Sequence, residues 1–282
     1  MNREPTFDQD SIEDQLHELA AHLEASTTVY LIGGGALTLR GLKNATRDID
    51  LIVESTEAAR RVFDALTAQG YRPIDEPEVE YTDLDAAFIL ERNPRRFDVF
   101  NRQVAGVIHL SEAMKDRSEE LLVDGKLTVE MVSLDDIFLF KSVANRANDV
   151  DDMIAIAEAG IDVDGIMDEV SRQLEFLGED HFIGAMKAKF DRLEKRGYAL
   201  DIQDRVESLY DTVQQAITVE NVLFSVYDAE YRHDDLFVGV PRSRLREQLD
   251  ADIDLEKALN WLERTDRIRI ADDDTIVPLR DV

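Results

Sequence analysis

Ile12, Leu16, Leu19 and Leu23 recur at helical spacing, which predicts an amphipathic helix over residues 9–24 with Ser11 and Asp14 as a capping box. An apolar run at 29–32 reads as a strand. Gly33, Gly34 and Gly35 follow, then a helix-forming run at 36–40 and a second strand that carries Asp48 and Asp50 and ends at Val53. Val62, Phe63 and Leu66 mark a helix that Ser55 caps and Gly70 stops. Strand-like pieces recur at 71–74, 86–90 and 97–100, with an acidic loop at 75–85 and a turn at Asn93-Pro94. A helix is predicted over 111–121 and a strand over 127–132, with Asp124-Gly125 as the turn before it. Ser133 then caps a helix whose course and continuation carry Lys141, Arg146, Asp149 and Asp152.

From about 162 to 218 the pattern is helical throughout, in amphipathic runs at 163–177, 181–195 and 202–217 split at Gly178 and Gly197. The stretch 186–197 is the most basic local one; it suits an amphipathic helix, or contact with a phosphate backbone. Residues 241–249 predict a helix with Pro241 in its first turn, and 254–268 a second helix with Leu255, Leu259, Trp261 and Leu262 in or near its buried stripe. An alternating ribbon at 268–279 turns at Asp272-Asp273-Asp274. Helix, helix and ribbon resemble a winged-helix module, although the helix expected to do the reading is not basic. Arg242, Arg244 and Arg246 are its concentrated positive charge, so protein contact or help in holding a substrate is expected ahead of specific DNA reading. The chain therefore divides into an α+β domain at 1–160, a helical domain at 161–218 and the winged-helix-like module at 219–282.

Charge changes the picture more than length does. The 282 residues suffice for two domains or more, and 44% hydrophobic content excludes wholesale disorder. The formal charge of −29, spread along the whole chain, reads as a surface adapted to high salt, as in a halophilic archaeon; an ordinary acidic protein is the alternative. Molar salt shortens the Debye length to about 3 Å, so this acidity weighs little against a nucleic-acid substrate. Cysteine is absent, which removes disulfides and thiolate metal sites. With no apolar leader at the start and no run near the roughly 20 apolar residues of a membrane span, a soluble, cytoplasmic protein is expected.

Residues two apart in a strand share a face, so Asp48 and Asp50 project together while Ile49, Leu51 and Val53 point into a core. Paired carboxylates suit a hard divalent cation such as Mg²⁺ or Mn²⁺ that leaves room for phosphates. Glycines entering a helix let backbone N–H groups approach a polyphosphate. A phosphate cradle and a metal pair about a dozen residues apart point to phosphoryl or nucleotidyl transfer.

A strand ending in Gly33-Gly34, a short spacer and Asp48-Ile49-Asp50 together resemble the signature of the DNA polymerase β-like nucleotidyltransferase superfamily. The wider wording resembles its minimal and toxin-like branches, including the abortive-infection type IV toxins. The resemblance implies a nucleotidyltransferase-fold mixed sheet with flanking helices. It also implies a third metal-binding acid on a later strand, which Asp98 supplies; the alternative for Asp98 is an ion pair with Arg95 or Arg96. Asp48, Asp50 and Asp98 would hold one or two Mg²⁺ or Mn²⁺ ions, and Gly33 and Gly34 would seat the triphosphate of an NTP. Asp98 would stand nearest the acceptor. A later segment in relatives resembles 135–152 and implies that Lys141 reaches nucleotide phosphates while Asp149 or Asp152 orients Lys141 or Arg146. Position 148, where relatives carry Lys, is Asn here; the alternative for the whole segment is a solvated face of ion pairs. The resulting expectation is transfer of a nucleoside monophosphate from an NTP to a hydroxyl of RNA, tRNA or protein, in the manner of a toxin with a cognate antitoxin. The alternatives are a small-molecule, aminoglycoside-like acceptor, or a non-catalytic, antitoxin-like regulator using the winged-helix module.

Overall fold

The computed structural model describes residues 7–279 apart from 75–85, 94, 145, 147, 178–180, 234–235 and 238. The acidic loop expected at 75–85, Pro94 and the break at Gly178 lie outside the described residues. The chain falls into two compact units, Met1–Glu169 with Lys189–Tyr198, and Val170–Ala188 with Ala199–Val282.

The first unit opens with α1 (Gln9–His22), whose cap is Asp8 rather than the expected Ser11–Asp14 box. The Asp8 carboxylate accepts from the Ser11 backbone N–H because buried Phe7 bridges to Thr46, which fixes the incoming chain and starts the helix at Gln9. There follow β1 (Thr27–Ile32), α2 (Gly33–Leu39), β2 (Ile49–Val53), α3 (Thr56–Ala68), β3 (Arg72–Pro73), β4 (Phe88–Arg92) and β5 (Arg95–Asn101). The small ribbon of β6 (Gln103–Val104) and β7 (Ile108–His109) leads to α4 (Glu112–Asp116), β8 (Glu119–Asp124), β9 (Leu127–Met131), α5 (Leu134–Val143) and α6 (Asp149–Ala159). The expected helix over 111–121 is thus only its first turns: Ser111 caps α4, and the rest pairs as β8 with β9 through the Asp124-Gly125 turn. A register shift between Glu120 and Leu122 breaks the alternation that would have marked a strand.

These strands form a mixed seven-stranded sheet in the order β3-β4-β5-β2-β1-β9-β8, so the fold is α+β with flanking helices, as the hydrophobic pattern implied. β1 runs antiparallel to β2 and parallel to β9, while β2 runs parallel to β5. Every residue of β2 is buried, which places it at the centre of the core with Val29, Leu31, Leu66, Phe97 and Val99.

Helices α7 (Val163–Leu177) and α8 (His181–Lys195) follow, then α9 (Ile202–Val226), which continues past the expected end at 217 and widens into a π turn at Tyr227–Tyr231. In the second unit come the short pair β10 (Arg232–His233) and β11 (Leu236–Phe237), then β12 (Val240–Pro241), α10 (Arg242–Gln248), α11 (Leu255–Arg264), β13 (Ile268–Ile270) and β14 (Thr275–Pro278). The last three strands make a sheet in the order β12-β14-β13 around Leu245, Leu259, Leu262 and Ile276. Arg267 and Glu220 form a buried ion pair between this sheet's approach and α9. Among the described residues no helix is long and apolar enough to cross a membrane.

Candidate active site

Sheet register brings the carboxylates together. Ile32 at the end of β1 pairs with Asp50, and Asp50 pairs across the parallel ladder with Asp98 of β5. Asp48 precedes β2 by one residue and shares the face of Asp50. One oxygen from each of the three lies within 4.8 Å of the others, and all three residues are buried, Asp98 completely.

Glycine makes this convergence possible. Gly33 has φ +64, and a Cβ on it would stand 2.1 Å from Asp50 Oδ2. A Cβ on Gly34 would stand 2.3 Å from Thr46 Oγ1, the hydroxyl that donates to Asp48 Oδ1 at 3.4 Å. The helix α2 begins at Gly33 itself, not after the third glycine as expected, so both glycines lie in the turn against which the carboxylates pack.

Two arginines face the acids. Arg96 grips Asp98 with both ends of its fork, Nε to Oδ1 at 2.6 Å and Nη2 to Oδ2 at 2.9 Å. The ion-pair alternative for Asp98 is therefore present together with the carboxylate cluster. Arg146 reaches Asp50 Oδ1 at 3.3 Å and Asp48 Oδ2 at 3.8 Å. Asp50 Oδ2, buried, has no hydrogen-bond partner among the described residues. Burial raises the proton affinity of Asp50, and Asp48 adds to it against the pull of Arg146. Burial likewise pushes Asp98 up to about 8, reinforced by Asp48 and Asp50 and opposed by Arg96.

Beyond Arg146 lies a chain of buried charges. Lys141 sits on α5, a helix buried continuously from Asp136 to Val143, and its Nζ meets Asp152 Oδ2 at 2.7 Å and Asp149 Oδ1 at 3.3 Å. The Arg146 backbone N–H donates to Asp149 Oδ2 at 2.8 Å. Lys189, from α8, meets the same oxygen at 3.4 Å, and Lys43 meets both oxygens of Asp152 at 3.0 and 3.2 Å. Burial alone would lower Lys141, but Asp152 and Asp149 outweigh it and hold the ammonium above its ordinary value. Burial works against the Asp152 carboxylate too, yet Lys141 and Lys43 keep it below the usual range. Lys189 is lowered, because burial exceeds what Asp149 returns.

Every residue singled out from the sequence thus falls in one of two adjoining clusters: Gly33, Gly34, Asp48, Asp50 and Asp98 in the first, Lys141, Asp149 and Asp152 in the second, with Arg146 touching both. Lys43 and Lys189 were not singled out, and Arg96 entered only as one of two alternative partners for Asp98. The one available signal was scarcity: the chain has eight lysines, and three of them gather on two aspartates here.

An all-carboxylate donor set with a bare buried oxygen fits a hard divalent cation, Mg²⁺ or Mn²⁺. Protons compete with such a cation. The folded protein holds the Asp98 proton up to about pH 8, whereas an unfolded chain releases it near pH 4, so the folded state binds more protons between those limits. Stability of the cation-free protein is then expected to fall as pH rises through this window and to level off above it. Stabilisation by added Mg²⁺ should run the other way and be larger at about pH 9 than at about pH 6. Melting curves at both values, with and without Mg²⁺, test this; an equal shift at both refutes it.

The sequence matches the family described as nucleotidyltransferase of unknown function (DUF6036) over residues 10–196, a span that contains all of these groups. No curated protein matches it. Among solved structures, one described as "putative nucleotidyltransferase from H. pylori" aligns over 92% of this chain and 92% of its own, at 14% identity and a TM-score of 0.36. A likeness at that level carries no weight for fold or function.

Proposed function

Because the chain belongs to the DUF6036 family of nucleotidyltransferases, we propose that it moves a nucleoside monophosphate from an NTP to a hydroxyl on RNA, tRNA or protein, as the toxin-like member of a pair with a cognate antitoxin. The observation that carries the reading is the trio of buried carboxylates from β2 and β5 packed on a glycine turn. Asp48, Asp50 and Asp98 would hold the Mg²⁺ or Mn²⁺. When bound, the cation neutralises phosphate charge and acidifies the acceptor hydroxyl.

The chain's own groups supply the rest. The acceptor oxygen attacks the α-phosphorus, the bond from that phosphorus to the bridging oxygen breaks, and pyrophosphate leaves. Asp98, the carboxylate that would stand nearest the acceptor, takes the acceptor's proton, and Arg96 fixes the orientation of its carboxylate. Gly33 and Gly34 keep side chains out of the turn where the triphosphate would lie. The positive charge of Lys141 and Arg146, oriented by Asp149 and Asp152, would help to balance that of the phosphates without Lys141 leaving its carboxylates.

The strand, helix, helix and ribbon of the second unit support a winged-helix-like role, but its arginines are committed internally. Arg242 pairs with Glu256 and Asp274, Arg244 with Glu230 and Glu247, and Arg246 with the carbonyls of Leu249, Asp250 and Ile253. That favours a protein contact over nucleic-acid reading for this module. A small-molecule acceptor and a non-catalytic regulator are the competing readings; the buried trio weighs against the latter, since a fold without use for it gains nothing from three like charges at one point.

The test is a transfer assay in molar KCl, matching the high-salt setting the charge suggests, with Mg²⁺ or Mn²⁺ and each of the four α-labelled NTPs. RNA and the protein itself serve as acceptors, beside an Asp48→Ala/Asp50→Ala control. Label on either acceptor only with intact aspartates is the expected result. No label, together with no cation-dependent NTP binding by calorimetry, overturns the proposal.

A further inference from the structure

Of the three lysines on Asp149 and Asp152, one that the sequence pattern passes over, Lys43, is the one placed to touch a ligand. Lys141 is 8% exposed at its side chain and its ammonium is already enclosed by two carboxylates. Lys189 is 3% exposed. Lys43, on the segment between α2 and β2, is 29% exposed and holds only one of the aspartates, Asp152. Its Nζ lies 3.7 Å from where a Cβ on Gly34 would stand. The other neighbour of that position is Thr46 Oγ1, which donates to Asp48. One glycine turn is therefore flanked by a carboxylate trio on one side and a part-open ammonium on the other.

From this placement we infer that Lys43 is the residue that contacts the β- and γ-phosphates of the nucleotide, while Lys141 and Lys189 stay enclosed and keep Asp152 and Asp149 in place. The inference rests on the nucleotidyl-transfer reading above. An ammonium has three N–H donors, and Asp152 takes at most two, so Lys43 can gain a phosphate oxygen without leaving its aspartate. Three ammoniums on two carboxylates leave this cluster one positive charge in excess, which suits a polyanion. Lys141 has no such freedom: to reach a phosphate it must abandon buried partners at 2.7 and 3.3 Å.

Calorimetry on the full chain with NTP, NDP, NMP and nucleoside, in Mg²⁺, tests the assignment. Lys43→Met is expected to weaken NTP and NDP binding about tenfold, to leave NMP and nucleoside binding unchanged, and to lower the melting temperature only slightly, since Asp152 keeps Lys141. In turnover the same change appears in KM for the NTP with kcat nearly kept. Lys141→Met should lower the melting temperature more, because Asp149 and Asp152 lose enclosed counter-charge. Wild-type NTP binding that Lys43→Met leaves intact overturns this inference alone. So does loss of the phosphate-number dependence in Lys141→Met, measured where that variant is folded, with Lys43→Met normal. A wild type that binds no NTP overturns the transfer reading and this inference with it.

Discussion

Asp50→Asn is expected to abolish transfer, by on the order of 10³-fold or more, while raising the melting temperature of the cation-free protein by a few degrees. The two effects share one cause. Asp50 is buried beside Asp48, one of its oxygens has no hydrogen-bond partner, and burial favours its neutral form. Ionised Asp50 therefore costs the fold, and it is kept where a hard cation needs an anionic ligand. Asn preserves the shape against Gly33 and can still accept from Arg146, but it brings no charge to a metal site. Transfer rate, Mn²⁺ affinity and melting temperature measured on one preparation decide the matter. An active variant removes Asp50 from the chemistry, and a variant that melts early shows that the lost activity is lost structure.

Gly33→Ala should be nearly as damaging without touching a charge. The residue sits at φ +64, where an L side chain costs roughly 1–2 kcal/mol. The added methyl would also stand 2.1 Å from Asp50 Oδ2, so the carboxylate must shift or the β1–β2 pairing must open. Loss of cation binding and at least a ~10²-fold fall in transfer are expected, since small misplacements at a reacting centre cost about that much. Gly41→Ala is the control. Gly41 has φ +73 but nothing within 4 Å of its added methyl, so it carries a similar backbone cost without crowding any side chain. Equal loss of activity in both variants would mean that backbone strain, and not the crowding of Asp50, is responsible.

Local periodicity was enough to place Asp48 and Asp50 on one face, because strand alternation is a property of adjacent residues. Asp98 was legible because the family resemblance calls for a third acid on a later strand and the run at 97–100 alternates; its place opposite Asp50 is set by sheet register. Where local signals competed, sequence reading went astray. Ser11 and Asp14 satisfy a capping pattern, yet the bridge from Phe7 to Thr46 settles the start of α1 at long range. Leu121 interrupts the alternation of β8, so a strand held by its hairpin partner looked helical. Lys43 and Lys189 were beyond reach for a deeper reason. A lysine in a connecting segment or an amphipathic run looks like any solvated one until the partner carboxylates, 109 and 40 residues away, are known.

The sheet also has a history written into its order. The hairpins β4–β5 and β8–β9 and the β1–β2 pair join neighbours in the chain, but the two parallel pairings do not: β2 meets β5 with Asp50 opposite Asp98, and β1 meets β9 with Thr27 opposite Leu127. Parallel pairings across such separations close late, because loop entropy is lost before contacts return it. A chain emerging from the ribosome thus holds Asp98 apart from Asp48 and Asp50 until β5 has joined β2. The repulsion among them falls on the finished protein, not on its nucleus, and nascent fragments have no assembled centre with which to act on anything in the cell.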